Sequence, residues 1–173
     1  MRMYDIISDK RNKKVLSKEQ IEYFVKGVTD SSIPDYQISA LLMAICLNGM
    51  NEREACDLTI AMANSGQRAD LSSINGVVVD KHSSGGVGDK CTLIIGPIVS
   101  SFGVPFAKLS GRGLGHTGGT IDKLESIKGF RTDLTTDEFI KNVNSIKIAV
   151  AGQTGALAPA DKKLYALRDV TAT

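Results

Sequence analysis

The sequence predicts an α/β fold in which a helical lobe precedes a parallel α/β lobe that is truncated. Three observations lead to this prediction. The first sixty or so residues carry apolar side chains at helical spacing. From Val77 onward, short β-branched runs alternate with helical patterns, which is typical of a parallel sheet with right-handed crossovers. Three such runs make a thin sheet for an open α/β fold, so the sheet looks unfinished.

The helical lobe, residues 1–66, is predicted to contain three helices with turns between them. Ser17 begins the first through an S-x-x-Q capping box, and Gly27 is expected to end it. Pro34 suits the first turn of the second helix, and Asn51 begins the third. The apolar stripes of these helices comprise Ile21, Phe24, Val25, Ile38, Leu41, Leu42, Ile45, Leu58 and Met62.

A polar, turn-rich segment, residues 67–76, links the helical lobe to the α/β lobe, residues 77–158. The predicted strands of the α/β lobe are 77–80, 104–109 and 148–150. Its predicted helices are 91–102, 122–127 and a segment that begins with the capping-box pair Thr135 and Glu138. A last helix, in residues 159–173, begins at Pro159.

The overall charge argues against a dedicated nucleic-acid binder. The 21 basic residues nearly balance the 19 acidic ones, for a net charge of +2, whereas nucleic-acid-binding domains carry a clear basic excess. No apolar run approaches the length of a transmembrane helix, and the charged N-terminal residues lack the apolar core of a signal peptide. We therefore expect neither a nucleic-acid nor a membrane partner.

The cysteines favour a reducing compartment. Cys46, Cys56 and Cys91 are odd in number and form no C-x-x-C pair, so a disulfide framework is not expected. This usage predicts a cytoplasmic protein. The expected role of all three is that of small buried side chains.

A glycine-rich loop, residues 81–89, follows the first predicted strand and lies at the carboxyl edge of a parallel sheet, where ligands bind. Its backbone N–H groups and the following helix start can face one anion, while Lys81 supplies charge and Ser83 a hydroxyl donor. His82, between them, is suited to proton transfer. The loop does not match the P-loop pattern, because the residue before Lys90 is not a glycine.

A second glycine-rich loop, residues 110–120, follows the next predicted strand. Its G-x-G-x-x-G run, taken alone, would suggest a dinucleotide site, with Asp137 about 20 residues on as the ribose ligand. A dinucleotide site uses one such loop on its first strand, whereas here two loops with basic and hydroxyl residues follow successive strands. This pairing favours a phosphate held from two sides. His116 is expected to be structural, and Lys123 and Glu125 to form a solvated helix face.

Three motifs, in order along the chain, resemble those of the thymidine and pyrimidine-nucleoside phosphorylases. Residues 110–125, SGRGLGHTGGTIDKLE, are similar to the signature of that family, and residues 80–89, DKHSSGGVGD, resemble its phosphate loop. Residues 163–173, KLYALRDVTAT, resemble its pyrimidine-binding helix. The MRMYDII start and the PDYQISALLMAI helix fit as well, so the resemblance covers the whole chain.

The resemblance implies a reaction and a set of ligands. Phosphate attacks the anomeric carbon of a pyrimidine nucleoside (uridine, thymidine or deoxyuridine), and the products are the free base and a pentose 1-phosphate. His82 would assist departure of the base as donor or general acid, and Arg168 and Tyr165 would contact the pyrimidine. The phosphate would be held by Lys81, Ser83, Thr92, Lys108, Ser110 and Thr120.

The resemblance also implies a homodimer formed through the helical lobe, and a last helix that returns to that lobe. It implies no organic cofactor. Some relatives bind a potassium ion beside the first loop, and Gly88 fits that pattern. Lys90 departs from it, because a small residue is usual there.

Members of the family are longer than this chain, and a serine and a lysine that follow the R-D-V-T-A-T run are absent. Three readings stay open: a nucleoside phosphorylase, a relative of anthranilate phosphoribosyltransferase with the same two-lobed plan, and an inactive module that only dimerises or binds phosphate. The K-H-S loop and the R-D-V-T-A-T helix favour the phosphorylase. The chain alone is expected to show no measurable phosphorolysis.

Overall fold

A computed structural model describes residues 1–82, 90–113, 118–152 and 156–173. The chain divides into two units. Unit 1 comprises Met1–Arg68 and Gly155–Thr173, and unit 2 comprises Ala69–Thr154. The predicted fold class is confirmed, because a helical bundle is followed by a small α/β region with parallel strands.

The two strands of the described residues lie among helices in the second half of the chain. In chain order the elements are α1 (Met3–Arg11), α2 (Lys18–Thr29), α3 (Asp35–Asn48), α4 (Glu52–Ala63), α5 (Lys90–Ser101), β1 (Phe106–Ser110), α6 (Thr120–Glu125), α7 (Thr136–Ile146), β2 (Ile148–Gly152) and α8 (Pro159–Thr171). Helices α1 to α4 and α8 belong to unit 1, and the other elements belong to unit 2.

Three helices begin where the sequence predicts, each with a capping box. Ser17, Asn51 and Thr135 precede α2, α4 and α7. Each side chain accepts a hydrogen bond from the backbone N–H three residues on, and the Gln or Glu there accepts one from the cap N–H. Both orphan N–H groups are thereby satisfied, which stabilises the helix start.

The helical lobe differs from its prediction in two places. A fourth N-terminal helix, α1, is present, because its charged sequence includes the buried apolar side chains of Met3 and Ile6. Gly27 lies inside α2 and does not end it. A side chain at Gly27 would overlap that of Ile33, so the glycine lets the turn after α2 pack against the helix.

An apolar core holds unit 1 together. Helix α1 packs on α3, α2 packs on α4, and α8 packs on α2 and α3. Helix α8 contributes Ala160 and Leu164 to this core. The other buried members are Met3, Ile6, Leu16, Ile21, Phe24, Val25, Val28, Ile33, Ile38, Leu41 and Leu42.

A buried ion pair ties three segments of unit 1 together. Lys10 Nζ donates to Glu54 Oε1 over 2.8 Å, and the two side chains are 4% and 1% exposed. Glu54 also accepts hydrogen bonds from the backbone N–H groups of Leu16, at 2.8 Å, and Asn51, at 2.9 Å. Burial raises the pKa of Glu54, but the hydrogen bonds from Lys10 and the two N–H groups outweigh it, and the pKa lies below its ordinary value.

The predicted first strand of the α/β lobe, residues 77–80, is wrong: it forms only one bridge, between Val79 and Phe106. The pairing cannot extend towards the N-terminus because Pro105 has no N–H to donate. It cannot extend the other way because the Lys81 N–H donates to the Asp80 carboxylate, at 2.6 Å. The named sheet of the described residues therefore has two parallel strands, β1 and β2.

Helix α5 has one packed and one exposed face. Thr92 and Gly96 are buried, and a methyl group added at Gly96 would lie 2.9 Å from Cδ1 of Ile148. The opposite face exposes an apolar stripe of Leu93, Ile94, Ile95 and Ile98. Helix α7 completes the core of unit 2 with Phe139 and Val143, which pack with Ile74, Ala107, Ala149 and Ala151.

The expectation of three buried cysteines is wrong for two of them. Cys46 and Cys56 are exposed on α3 and α4, and Cys91 is half-buried in α5. All three are free thiols. No described helix has both the length and the apolarity that a membrane span requires.

Candidate functional site

Three of the predicted phosphate ligands come together in unit 2. Lys81 Nζ lies 3.4 Å from Oγ1 of Thr92, which is 1% exposed in the first turn of α5. Lys108 Nζ, from the middle of β1, donates to the Lys81 carbonyl oxygen over 2.7 Å. Strand β1, residue 81 at the start of the first glycine-rich loop and helix α5 after that loop therefore meet at one place.

The Lys108 ammonium is buried and paired. Its residue is 5% exposed, and besides the Lys81 carbonyl it contacts Asp80 Oδ1 at 3.2 Å. A buried charge is strongly unfavourable unless it is paired and hydrogen-bonded. Asp80 thus holds the Lys108 ammonium in place and also accepts the backbone N–H of Lys81, so one carboxylate joins the Lys108 side chain to the start of the first loop.

The cluster carries more positive than negative charge. Lys81 and Lys108 supply two cations and Asp80 one anion. Thr92 adds a buried hydroxyl, and His82 follows with an exposed side chain. Ammonium groups and a hydroxyl in this arrangement can bind a phosphate-sized anion.

Two further predicted ligands flank the second loop. Ser110 ends β1 and lies opposite Gly152 in the parallel register. It shares a face of β1 with Lys108, because alternate residues of a strand point the same way. Thr120 is 2% exposed and begins α6.

The expectation that Lys123 and Glu125 form a solvated helix face is confirmed for Glu125, which is exposed, whereas Lys123 is half-buried. Both side chains also have hydrogen-bond partners. Lys123 Nζ donates to the Gly118 carbonyl oxygen at 2.6 Å. Glu125 accepts two hydrogen bonds from the Arg112 guanidinium, at 2.7 and 3.0 Å, and one from the Thr132 hydroxyl, at 2.5 Å. The Arg112 hydrogen bonds, followed by that from Thr132, hold the pKa of Glu125 below its ordinary value.

The two predicted pyrimidine contacts lie on α8, in unit 1. Tyr165 and Arg168 are both exposed, and their spacing of three residues puts them on one helix face. The Arg168 Nε donates to the backbone oxygen of Thr173 at 3.2 Å.

Some predicted positions lie outside the described residues. They are Ser83, Gly88 and His116. Within the described ranges there is no group of three or more His, Cys, Asp or Glu side chains that could hold a metal ion. The potassium site beside Gly88 stays a prediction.

Comparison with protein families assigns the chain. Residues 4–66 match the helical bundle domain of a glycosyl transferase family, and residues 75–173 match the a/b domain of a glycosyl transferase family. The chain belongs to this glycosyl transferase family. The first match covers α1 to α4, and the second covers α5 to β2 and also α8, which belongs to unit 1.

Curated relatives confirm the predicted resemblance. The chain is 64% identical to a pyrimidine-nucleoside phosphorylase of Geobacillus stearothermophilus and 65% identical to one of Bacillus subtilis, in each case over all of its residues. It spans 40% of the length of each relative and corresponds to the N-terminal portion.

A solved structure shows the same fold. The crystal structure of an anthranilate phosphoribosyltransferase from Thermus thermophilus superposes with a TM-score of 0.76 at 17% identity. The superposition covers 98% of this chain and 51% of that one. At this identity the likeness describes the architecture alone.

Two site residues were missed from the sequence, Asp80 and Asp122. Asp80 pairs with the Lys108 ammonium and accepts the Lys81 backbone N–H, and Asp122 accepts the Gly113 and Gly119 N–H groups. Asp122 had a readable signal, since an acid three residues after a helix-starting glycine has capping-box spacing. The sequence carried no such signal for Asp80 beyond its place at the end of a predicted strand.

Proposed function

We propose that this chain carries the phosphate-binding part of an enzyme that cleaves pyrimidine nucleosides with phosphate. The substrates are uridine, thymidine and deoxyuridine, and the products are the free base and a pentose 1-phosphate. The observation that carries the proposal is the convergence of Lys81, Thr92 and Lys108 on one cationic place in unit 2. The two phosphorylase relatives support the choice of reaction.

The proposed reaction divides its work between phosphate ligands and base ligands. Phosphate is held by Lys81, Ser83, Thr92, Lys108, Ser110 and Thr120. A phosphate oxygen forms a bond to the anomeric carbon as the bond from that carbon to the base nitrogen breaks, and the base leaves with the electron pair. His82 donates a hydrogen bond or proton to the departing base, while Arg168 and Tyr165 hold the pyrimidine. Positioning and charge stabilisation supply most of the acceleration.

The wider setting of the enzyme is part of the same proposal. We place it in the cytoplasm, as a homodimer that associates through the helical lobe, with a potassium ion beside Gly88. The free thiols of Cys46, Cys56 and Cys91 support a reducing compartment. A module that binds phosphate without catalysis is the second candidate, and the contacts among Lys81, Thr92 and Lys108 would serve it equally well.

Turnover distinguishes the two candidates. The purified chain is expected to show no measurable phosphorolysis of uridine or thymidine by absorbance, because it spans 40% of its relatives. A chimera in which the remainder of the Bacillus subtilis relative follows residue 173 is expected to cleave both nucleosides. A folded chimera without turnover would contradict the enzyme proposal, and turnover by the chain alone would contradict the expectation for the isolated chain.

Replacing Lys81 with alanine is expected to weaken binding of inorganic phosphate about tenfold or more. A hydrogen bond to a charged group contributes about 1.5–3 kcal/mol, and about 1.4 kcal/mol is tenfold in affinity. Isothermal titration of phosphate into the chain measures the effect. The matched control is Lys128→Ala, which removes an exposed lysine from the same unit and should leave affinity unchanged. Equal affinity of the Lys81 variant and the wild type would remove Lys81 from the site.

A further inference from the structure

The Asp122 carboxylate bridges the two ends of the second glycine-rich loop. Its Oδ2 accepts the backbone N–H of Gly113 at 2.7 Å and that of Gly119 at 2.9 Å. Its Oδ1 accepts a hydrogen bond from the Arg112 guanidinium at 3.2 Å. One side chain in α6 therefore joins the segment that leaves β1 to the segment that enters α6.

The backbone at the base of the loop is in direct contact. A methyl group added at Gly119 would lie 2.6 Å from the carbonyl carbon of Arg112 and 2.9 Å from the carbonyl oxygen of Gly111. Both neighbours are backbone atoms, so neither can move aside as a flexible side chain would. Only glycine fits at this position, and its small size lets the two backbone segments approach closely enough for one carboxylate to accept a hydrogen bond from each.

The closed base is anchored to the end of β2. Arg112, which contacts Asp122, is held by the two hydrogen bonds to Glu125. Glu125 accepts the Thr132 hydroxyl, and the Thr132 carbonyl oxygen accepts the Gly152 N–H at 2.8 Å. The chain of contacts runs from the second loop through α6 to the last residue of β2.

We propose that Asp122 is a positioning residue that closes the second loop and so holds Ser110 and Thr120 together as phosphate ligands. Ser110 immediately precedes the closed base and Thr120 immediately follows it. Asp122 itself touches no phosphate in this scheme. The inference rests on the proposed function, because it assumes that phosphate binds between these two residues.

The charge of the carboxylate is essential to the closure. The negative charge of the carboxylate strengthens both hydrogen bonds that its Oδ2 accepts. An asparagine at this position would present either a neutral, weaker oxygen acceptor or an NH₂ group to the same two N–H donors. The hydrogen bonds from Gly113 and Gly119, and then Arg112, lower the pKa of Asp122. Among the described residues, the charged groups that face it are Arg112 and Glu125. Closure is thus complete at neutral pH and is lost as the pH falls through this lowered pKa.

The test is nuclear magnetic resonance of the full chain with Asp122→Asn. In the wild type, the amide protons of Gly113 and Gly119 should titrate with one shared midpoint below the ordinary aspartate value of about 3.9. In the variant at neutral pH, both resonances should move upfield together. The matched control, Asp133→Asn, removes an acid of the same unit that pairs with Arg131 at the surface, and both resonances should stay in place.

Phosphate titrations of the same samples complete the test. Asp122→Asn should weaken binding of inorganic phosphate about tenfold, which corresponds to about 1.4 kcal/mol, and Asp133→Asn should not change it. Separate midpoints for the two amides in the wild type would overturn the closure, whether or not the variant folds. Unchanged phosphate affinity in a folded Asp122 variant would overturn the positioning role. A wild-type chain that binds no phosphate would instead overturn the proposed function.

Discussion

Replacing Lys10 with methionine is expected to destabilise unit 1 by about 3–5 kcal/mol, because it leaves the buried Glu54 carboxylate without its cation. Methionine keeps much of the volume of lysine, so the loss reflects the charge rather than a cavity. Glu54 keeps its two backbone hydrogen bonds, but desolvation then dominates and its pKa should rise. A small domain is stable by about 5–15 kcal/mol, so a large part of that margin disappears.

Tyrosine fluorescence during urea unfolding measures this loss in unit 1 specifically. The chain has no tryptophan, and its four tyrosines all belong to unit 1: Tyr4, Tyr23, Tyr36 and Tyr165. The matched control is Lys14→Met, which breaks an ion pair to Asp9 whose lysine is 66% exposed. It should cost less than about 1 kcal/mol. Equal midpoints for the two variants would show that burial of the Lys10 pair is not what stabilises unit 1.

Replacing Phe106 with alanine is expected to cost unit 2 about 3–5 kcal/mol. Phe106 is 1% exposed, and its ring lies beneath Gly96, where an added methyl group would come within 3.3 Å of ring atom Cε1. Removal of the ring leaves a cavity between α5 and β1. Because β1 also carries Lys108 and Ser110, phosphate binding should weaken along with stability.

Amide hydrogen exchange along β1 and β2 measures the effect, since unit 2 contains no tyrosine. Phe102→Ala is the matched control: it removes the same side chain four residues earlier, from a position 80% exposed. Its cost should stay within about 0.5 kcal/mol. Similar exchange rates in both variants would contradict the packing role of Phe106.

Local signals in the sequence predicted the helix starts well. A capping box depends on residues three apart, so Ser17, Asn51 and Thr135 were readable without any knowledge of the tertiary structure. The β-branched run at 77–80 has the composition of a strand, yet its hydrogen bonding also depends on the neighbouring segment with which it pairs. Pro105 on that partner has no N–H to donate, and this limit becomes visible only once the register is known.

At the candidate site, too, contacts between residues far apart in the sequence could not be predicted. Lys81, Thr92 and Lys108 were expected as ligands through resemblance, and their contacts lie within the described residues. Asp80 escaped notice because its role depends on Lys108, 28 residues away. Glu54 lies three residues after Asn51, at capping-box spacing, but its ion pair with Lys10 spans 44 positions and leaves no pattern in the sequence.

The apolar stripe on α5 has a thermodynamic consequence for unit 2. Leu93, Ile94, Ile95 and Ile98 already contact water in the native state. Unfolding therefore hydrates less new apolar surface than the composition of the helix suggests, and the heat-capacity increment of unfolding is reduced in proportion. The stability curve of unit 2 is therefore slightly flatter than it would be if this stripe were fully buried.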